Sequence, residues 1–215
     1  MTENLIEAQY DLKPKSKIKL FYEKNKILIF SLIFSFFFIT GALFLYFEKK
    51  EKKNIELSEN YIEAKMNIEN KEYIKAKEIL TKIIYENNPT YSSMSLFLIL
   101  NKNLIEDKKE LEKLFEHILE NNRFDEEIKN LIVFKKILFK SDSSTEQELL
   151  ELTKPLLNSN TSWKPHVLLL MGDYFVSKKE FTKAKEFYEQ ILRIKNLQNE
   201  LYDQAKYQLI LINSK

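Results

Sequence analysis

The feature that most constrains this chain is a run of 21 residues without a charged side chain, ILIFSLIFSFFFITGALFLYF at 27–47. A helix of this length, at about 1.5 Å per residue, spans the roughly 30 Å hydrocarbon layer of a bilayer. A helix buried in a soluble core is rarely apolar on every side over such a length. A cleaved signal peptide has a shorter apolar run and a small-x-small cleavage site, whereas this run continues directly into EKKEKK. The segment is therefore predicted to be an uncleaved transmembrane helix.

The lysines on either side of this segment indicate its orientation. Because cytoplasmic flanks carry an excess of lysine and arginine, the side with more lysines is predicted to be cytoplasmic. The bias is small but favours a cytoplasmic tail at 1–26, with the C-terminal part outside the cytoplasm. The lysines before the segment are Lys13, Lys15, Lys17, Lys19, Lys24 and Lys26, and those after it are Lys49, Lys50, Lys52 and Lys53.

Three small residues of the segment, Ser31, Ser35 and Ala42, lie close to one side of the predicted helix. Small side chains allow a second membrane helix to approach closely, so this side is a candidate contact with another membrane protein. The alternative is that the three residues reflect only the usual frequency of small residues in membrane spans.

The remaining composition excludes several classes of function. The chain of 215 residues has no cysteine, which excludes disulfides, thiolate catalysis and cysteine zinc sites. It has two glycines and no glycine-rich phosphate loop, and its two histidines, His117 and His166, lack the spacing of metal ligands. A net charge of +2 gives no basis for nucleic-acid binding. We therefore predict no catalytic site, no metal site and no cofactor.

The part of the chain after residue 55 contains a repeat. The segments KEYIKAKEIL and KEFTKAKEFY both place an aromatic residue three positions before an alanine. Three sets of apolar positions recur in steps of 35, 38 and 35 residues: Ala76, Leu111, Leu149 and Ala184; Ile79, Leu114, Leu152 and Phe187; and Ile83, Ile118, Leu156 and Ile191. Repeats near 34 residues, each a helix–turn–helix, are typical of tetratricopeptide proteins.

The predicted fold is all-α: one N-terminal transmembrane helix, then a tetratricopeptide-like solenoid of helical hairpins at 55–215. About four helix pairs and a C-terminal capping helix are expected, and Pro155 is predicted to kink or shorten its helix. The predicted helices cover 55–69, 72–86, 91–104, 107–120, 125–140, 145–158, 164–177, 180–194 and 199–213. Packing within the repeats is assigned to Ala64, Tyr73, Ala76, Gly172, Phe181, Ala184 and Tyr188.

The repeat also predicts a binding surface. In stacked helix pairs the first helix of each pair lines a concave face. Aligning the first and last repeats places two groups of residues on that face as a candidate peptide or protein-binding surface. The alternative for each residue is simple exposure or packing against a neighbouring helix. The residues are Tyr61, Lys65, Ile68, His166, Leu169, Asp173 and Val176.

The most specific stretch runs from Trp163 to Leu192. It contains a Trp-x-Pro entry to a helix, the pair Gly172-Asp173, and the set Phe181, Ala184 and Tyr188. With the tail, the membrane helix and the degenerate helix pairs, these residues resemble the ancillary subunit of the SecYEG translocon, a bacterial family whose repeat domain is shared with the cell-division coordinator.

The resemblance implies a single-pass protein of the bacterial inner membrane with its repeat domain in the periplasm. It implies three kinds of partner: Sec translocon subunits, a membrane-anchored periplasmic chaperone, and exported polypeptides. It does not imply an enzyme. The alternative is a structural scaffold or coordinator of cell-envelope assembly, at the division site, the wall or the outer membrane. The membrane anchor favours the first function, because the related division coordinator is a soluble periplasmic protein.

Overall fold

The computed structural model describes residues 17–195, 197 and 199–214, with the side chains of Ile18 and Leu20 excepted. The first 16 residues of the predicted tail, including Lys13 and Lys15, lie outside the described residues. The described part of the chain contains nine α-helices and no strand, which confirms the all-α prediction. The helices are α1 (Lys17–Glu69), α2 (Tyr73–Tyr85), α3 (Pro89–Asn101), α4 (Lys108–Asn121), α5 (Glu126–Lys140), α6 (Glu146–Leu157), α7 (Lys164–Ser177), α8 (Phe181–Leu192) and α9 (Asn199–Asn213).

The chain divides into two compact units, Met1–Glu56 and Leu57–Lys215. The described part of the first unit consists of α1 residues, and its apolar side chains are exposed, as with Phe34 (74%) and Phe38 (72%). Helical geometry is interrupted at Asn25 (φ −115°, ψ 15°), whose Nδ2 donates to the carbonyl of Phe21 at 3.0 Å. From Phe21 onward, α1 is long and apolar enough to cross a membrane.

The repeat predicted from the sequence corresponds to the even-numbered helices of the second unit. Helices α2, α4, α6 and α8 begin at Tyr73, Lys108, Glu146 and Phe181, in steps of 35, 38 and 35 residues. The fourth residue of each is therefore an equivalent position, occupied by alanine or leucine and buried in every case. The residues at the twelve recurring positions are all buried or half-buried.

Ion pairs join neighbouring even-numbered helices. The ammonium of Lys77 on α2 lies 2.9 Å from the carboxylate of Glu110 on α4. Lys183 on α8 lies 2.6 Å from Glu146 on α6, and hydrogen bonds to Glu146 and Glu180 raise the pKa of Lys183 to about 12. Both pairs are partly exposed, so they orient the helices more than they stabilise them.

The interior of the second unit consists of two groups of buried side chains. The first core contains thirteen buried residues between Leu57 and Ile132, with Phe115, Leu80 and Ile99 fully buried. The second core contains twelve between Phe134 and Ala205, with Phe175 and Tyr188 the largest. The two cores share no buried residue and both receive side chains from α5. Helix α5 is therefore the element at which they meet.

Three turns of the second unit have the same unusual backbone geometry: one follows α3, with Asn103 at φ 49° and Leu104 N–H donating to Ile99 O at 3.1 Å, and in the other two the left-handed residue is a lysine. Lys71 after α1 and Lys179 after α7 lie in the left-handed region, at φ 63° and φ 62°. In both lysine turns, the residue after the lysine donates its backbone N–H to the carbonyl five positions earlier. Glu72 N–H donates to Asn67 O at 2.8 Å, and Glu180 N–H donates to Phe175 O at 2.9 Å. This is a Schellman motif, whose left-handed position is most often glycine. A lysine there is strained.

Replacing Lys179 with glycine is expected to raise the free energy of unfolding by about 0.5–1 kcal/mol, because glycine adopts this conformation without strain. Chemical denaturation followed by circular dichroism would measure the change. The matched control is Lys178→Gly, one residue earlier, where φ is −85°. It is expected to lower stability, since glycine has no advantage there. Destabilisation by Lys179→Gly would contradict the assigned strain.

Helices α2 to α9 begin and end within three residues of the predicted bounds, whereas the helix predicted separately at 55–69 is the C-terminal part of α1. Helix α6 continues through Pro155 and ends two residues later at Leu157, close to the end predicted at residue 158. Thr145 and Glu148 form a reciprocal capping box at its start, which accounts for the sharp beginning of this short helix. Tyr73, predicted to pack within the first repeat, stands at the first position of α2 and is 50% exposed.

Candidate functional site

The predicted binding residues of the last repeat occupy three different environments. The ring of His166 lies 5.2 Å from Trp163 and 5.7 Å from Phe134, and its Nδ1 is buried without a hydrogen-bond partner. Leu169 and Val176 are half-buried against the second core. Asp173 is exposed, and one of its carboxylate oxygens accepts a 2.6 Å hydrogen bond from the hydroxyl of Tyr188.

The predicted binding residues of the first repeat also differ from one another. Tyr61 and Ile68 are half-buried against the first core, and the Tyr61 ring lies 6.5 Å from that of Tyr91 on α3. Burial raises the pKa of the Tyr61 hydroxyl. Lys65 is exposed. Of the seven predicted surface residues, Lys65 and Asp173 are therefore the two that are exposed.

The residues predicted to pack at helix crossings are mostly interior. Ala64, Ala76 and Ala184 are completely buried, and Phe181 is half-buried at the start of α8. At the crossing of α7 and α8, a Cβ on Gly172 would lie 2.7 Å from Cζ and 2.8 Å from Cδ1 of Tyr188. Burial and the hydrogen bond to Asp173 raise the pKa of the Tyr188 hydroxyl, which therefore remains a donor.

His166 and Trp163 form one wall of a cleft of about 640 Å³, which we call the Trp163 cleft. Pro165 also lines the cleft, together with the aliphatic side chains of Ile194, Leu197 and Leu201. A volume of this size is within the range of pockets that hold a ligand or a few side chains. The described residues that line the cleft are Glu127, Asn160, Thr161, Ser162, Trp163, Pro165, His166, Ile194, Leu197 and Leu201.

The loop that carries Trp163 is held against the first turn of α5. A carboxylate oxygen of Glu127 accepts hydrogen bonds from the Thr161 hydroxyl at 3.1 Å and from the Ser162 N–H at 3.3 Å. The indole Nε1 of Trp163 donates to the backbone carbonyl of Glu127 at 3.2 Å, and its ring stacks on Phe134 at 5.5 Å. The wall of the cleft is thus set by contacts between residues about 35 positions apart.

The chemistry of the cleft suits binding rather than catalysis. Its described lining combines an aromatic wall, aliphatic side chains and one carboxylate, that of Glu127. Such a surface can accommodate an apolar side chain and place a carboxylate beside it. In the part of the chain that the structure describes, no group of three or more His, Asp or Glu side chains is arranged to hold a metal ion.

A second, smaller cleft of about 270 Å³ lies between α3 and α5. Met94 and Ile128 line it, and they are 37% and 43% exposed. Sequence reasoning named neither of them, nor Glu127 and Ile194 of the Trp163 cleft. All four lie outside the periodic positions, so the repeat gave no signal for them, and Glu127 is one of many acidic residues in the chain.

The three small residues of the apolar segment, Ser31, Ser35 and Ala42, are all exposed on the surface of α1. Gly41, next to Ala42, has nothing within 4 Å of the position its Cβ would occupy. This part of the first unit therefore offers a shallow surface of small side chains.

Replacing Glu127 with alanine is expected to lower the free energy of unfolding by about 1–2 kcal/mol, because the Thr161 hydroxyl and the Ser162 N–H lose their acceptor. Trp163 is the one tryptophan of the chain, so a shift of its fluorescence emission would report directly on the loosened loop. Glu126→Ala is the control, since Glu126 is exposed as Glu127 is and lies in the same helical turn. Equal effects of the two changes would contradict the role of Glu127.

These features define the class of protein: a helical chain with one helix able to span a membrane by its length and composition, and a unit of packed helices that contains the Trp163 cleft. The chain is similar to a protein named the ancillary SecYEG translocon subunit, from Buchnera aphidicola subsp. Schizaphis graminum (strain Sg). The two are 28% identical over 176 residues, covering 79% of this chain and 84% of the relative. This similarity confirms the resemblance found in the sequence. No protein-family model and no solved structure matches the chain.

Proposed function

We propose that this chain is an ancillary subunit of a bacterial Sec translocon. The observation that carries the proposal is the similarity to a protein of that name over most of both chains. The relative's name describes a translocon component and not an enzyme, in agreement with a role in binding. The segment 55–215, which contains the second unit, acts as a tetratricopeptide-like solenoid, supported by the steps of 35, 38 and 35 residues between the starts of its even-numbered helices.

In this proposal the segment 27–47 anchors the chain in the inner membrane. The N-terminus is cytoplasmic and the helical unit is periplasmic, as the lysine bias favours. The partners of that unit are a membrane-anchored periplasmic chaperone and exported polypeptides. A membrane anchor raises the effective concentration of a binding surface close to the emerging chains, so that weak contacts suffice.

The Trp163 cleft is the part of the unit best suited to contact these partners. Its aromatic and aliphatic walls supply apolar contact area, and Glu127 supplies a charge beside them. Lys65 and Asp173, the exposed members of the predicted concave face, are assigned to the rim of a broader surface. Aromatic side chains in partly open pockets are common anchors in protein interfaces.

Photo-crosslinking in native membranes tests the proposal. A photoreactive residue is placed at Ser35 on the small-residue surface, and in a second variant at Ser162 at the mouth of the Trp163 cleft. The expected products are translocon subunits from position 35 and a chaperone or exported polypeptide from position 162. The matched controls are Ile33, on the opposite side of α1, and Lys113, an exposed residue of α4.

Crosslinks to wall-synthesis or outer-membrane assembly proteins at both positions would overturn the proposal in favour of an envelope scaffold. Crosslinks that are equal at the test and control positions would show that neither surface is specific. Both outcomes can be read by mass spectrometry of the crosslinked products.

A further inference from the structure

The two ends of the apolar segment differ in how their lysines are paired. After the segment, Lys52 pairs with Glu48 at 2.7 Å and Lys53 pairs with Glu56 at 3.2 Å. Before it, Lys17, Lys24 and Lys26 are exposed and make no ion pair within the described residues. Lys49 and Lys50, also after the segment, are exposed and make no ion pair within the described residues either, so such lysines number three before the segment and two after it.

The net charges of the two ends differ in the same direction. Residues 17–26 contain four lysines and one acidic residue, Glu23, whereas residues 48–56 contain four lysines and three acidic residues. The second end is therefore close to neutral. The first, which we call the N-terminal lysine flank, carries an excess of positive charge within a few residues of the apolar segment.

The interruption of α1 at Asn25 affects where these lysines can lie. In a straight helix perpendicular to the bilayer, Lys17 would stand about 15 Å above Ile27. The polar layer of a bilayer is only about 5–8 Å thick on each side. A change of direction at Asn25 allows the segment at 17–24 to run along the surface, so that Lys17 can remain within the polar layer with Lys24 and Lys26.

The aromatic residues of the flank fit the same position. Phe21 and Tyr22 are 63% and 45% exposed, between Lys17 and Lys24 in the chain. Aromatic side chains are enriched at the boundary between hydrocarbon and headgroups, and lysines at a helix end reach outward to the phosphates. Two aromatic rings therefore lie between unpaired ammonium groups in a segment of ten residues.

We propose that the N-terminal lysine flank is a binding surface for the headgroups of anionic phospholipids. The surface requires that the chain spans the membrane and in that respect rests on the proposed function. Its partner is the lipid phosphate in a bilayer, which the unpaired ammonium groups of Lys17, Lys24 and Lys26 contact while Phe21 and Tyr22 insert at the boundary.

The test uses the full chain reconstituted into vesicles of phosphatidylcholine with spin-labelled probe lipids. The fraction of motionally restricted probe is compared for phosphatidylglycerol and phosphatidylcholine. We expect about a threefold preference for phosphatidylglycerol, falling to nearly equal association in Lys24→Gln/Lys26→Gln and weakening with added salt. Both leaflets have the same composition, so the orientation of reconstitution does not affect the result.

The matched control is Lys49→Gln/Lys50→Gln, which removes two unpaired lysines from the other end of the segment. It is expected to leave the preference within about 1.5-fold of the unsubstituted chain. An equal loss in both variants, or no preference in the unsubstituted chain, would overturn the proposal. Inorganic phosphate and chloride at the same ionic strength should weaken the preference equally, and a larger effect of phosphate would overturn the assignment to lipid.

Failure of the membrane anchor would be recognised separately. If the chain did not span the bilayer, no motionally restricted population would be seen with either probe. If it spans the bilayer without the proposed surface, restricted lipid is present but shows no preference. The first result would contradict the membrane anchor of the proposed function. The second would contradict only the proposed lipid-binding surface.

Discussion

Replacing Phe115 with alanine is expected to lower the free energy of unfolding of the helical unit by about 4 kcal/mol. Phe115 lies on α4 and is completely buried in the first core, and its ring stacks on that of Phe139 from α5 at 5.8 Å. The loss combines the transfer of a large apolar side chain with the cavity left behind. Urea denaturation of the full chain in detergent, followed by circular dichroism, measures it.

The helices in which Phe115→Ala lowers stability are as informative as the total loss of stability. Because the two cores share no buried residue, Phe115→Ala is expected to reduce amide protection in α2, α3 and α4 while α7, α8 and α9 keep theirs. Native-state hydrogen exchange measures the amide protection of each helix separately. Tyr73→Ala, at a half-exposed aromatic residue, is the control and should cost less than about 1 kcal/mol. A uniform loss of protection would show that the unit unfolds as one body.

Replacing Gly172 with alanine is expected to lower the free energy of unfolding by about 2 kcal/mol, although alanine favours helix more than glycine does. The added methyl group would overlap the ring of Tyr188, which is buried and held by its 2.6 Å hydrogen bond to Asp173. Helices α7 and α8 would have to separate to admit it. Here the reduced amide protection is expected in α7, α8 and α9.

Two further variants isolate the cause of this effect. Gly41→Ala adds the same methyl group to α1, where nothing lies within 4 Å, and should leave the unfolding of the helical unit unchanged. In a Tyr188→Leu background, Gly172→Ala should cost much less, because the ring that it meets is gone; a double-mutant cycle gives the coupling. An undiminished cost in that background would rule out the overlap as the cause.

Most of the helices could be predicted from the sequence because they depend on local spacing. The recurring apolar positions of α2, α4, α6 and α8 are buried or half-buried as their periodicity requires, and each helix begins at the same distance before them. Pro155 was a weaker guide. A proline near the end of a helix removes one hydrogen bond at a point where the helix is about to stop, so α6 ends near the position expected without it.

The binding surface could be predicted only in part, since a repeat alignment assigns residues to a face without showing what covers them. His166 was assigned to a concave face with packing as the alternative, and in the structure its ring contacts both Trp163 and Phe134 and lines the cleft. The residue that positions this wall, Glu127, has no distinctive local pattern. It became visible only through its hydrogen bonds to a loop about 35 residues away.

What the sequence by itself determined about this protein are the properties that depend on neighbouring residues: a segment without charge and long enough to cross a bilayer, and a set of helices with repeating apolar positions. The tertiary structure alone decided which distant side chains meet. The Trp163 cleft, the contact of Tyr188 with Gly172 and the separation into two cores depend on how helices cross, which small differences in side-chain shape determine. Helix formation is local and helix packing is not, and this is why the repeat was evident in the sequence while the cleft was not.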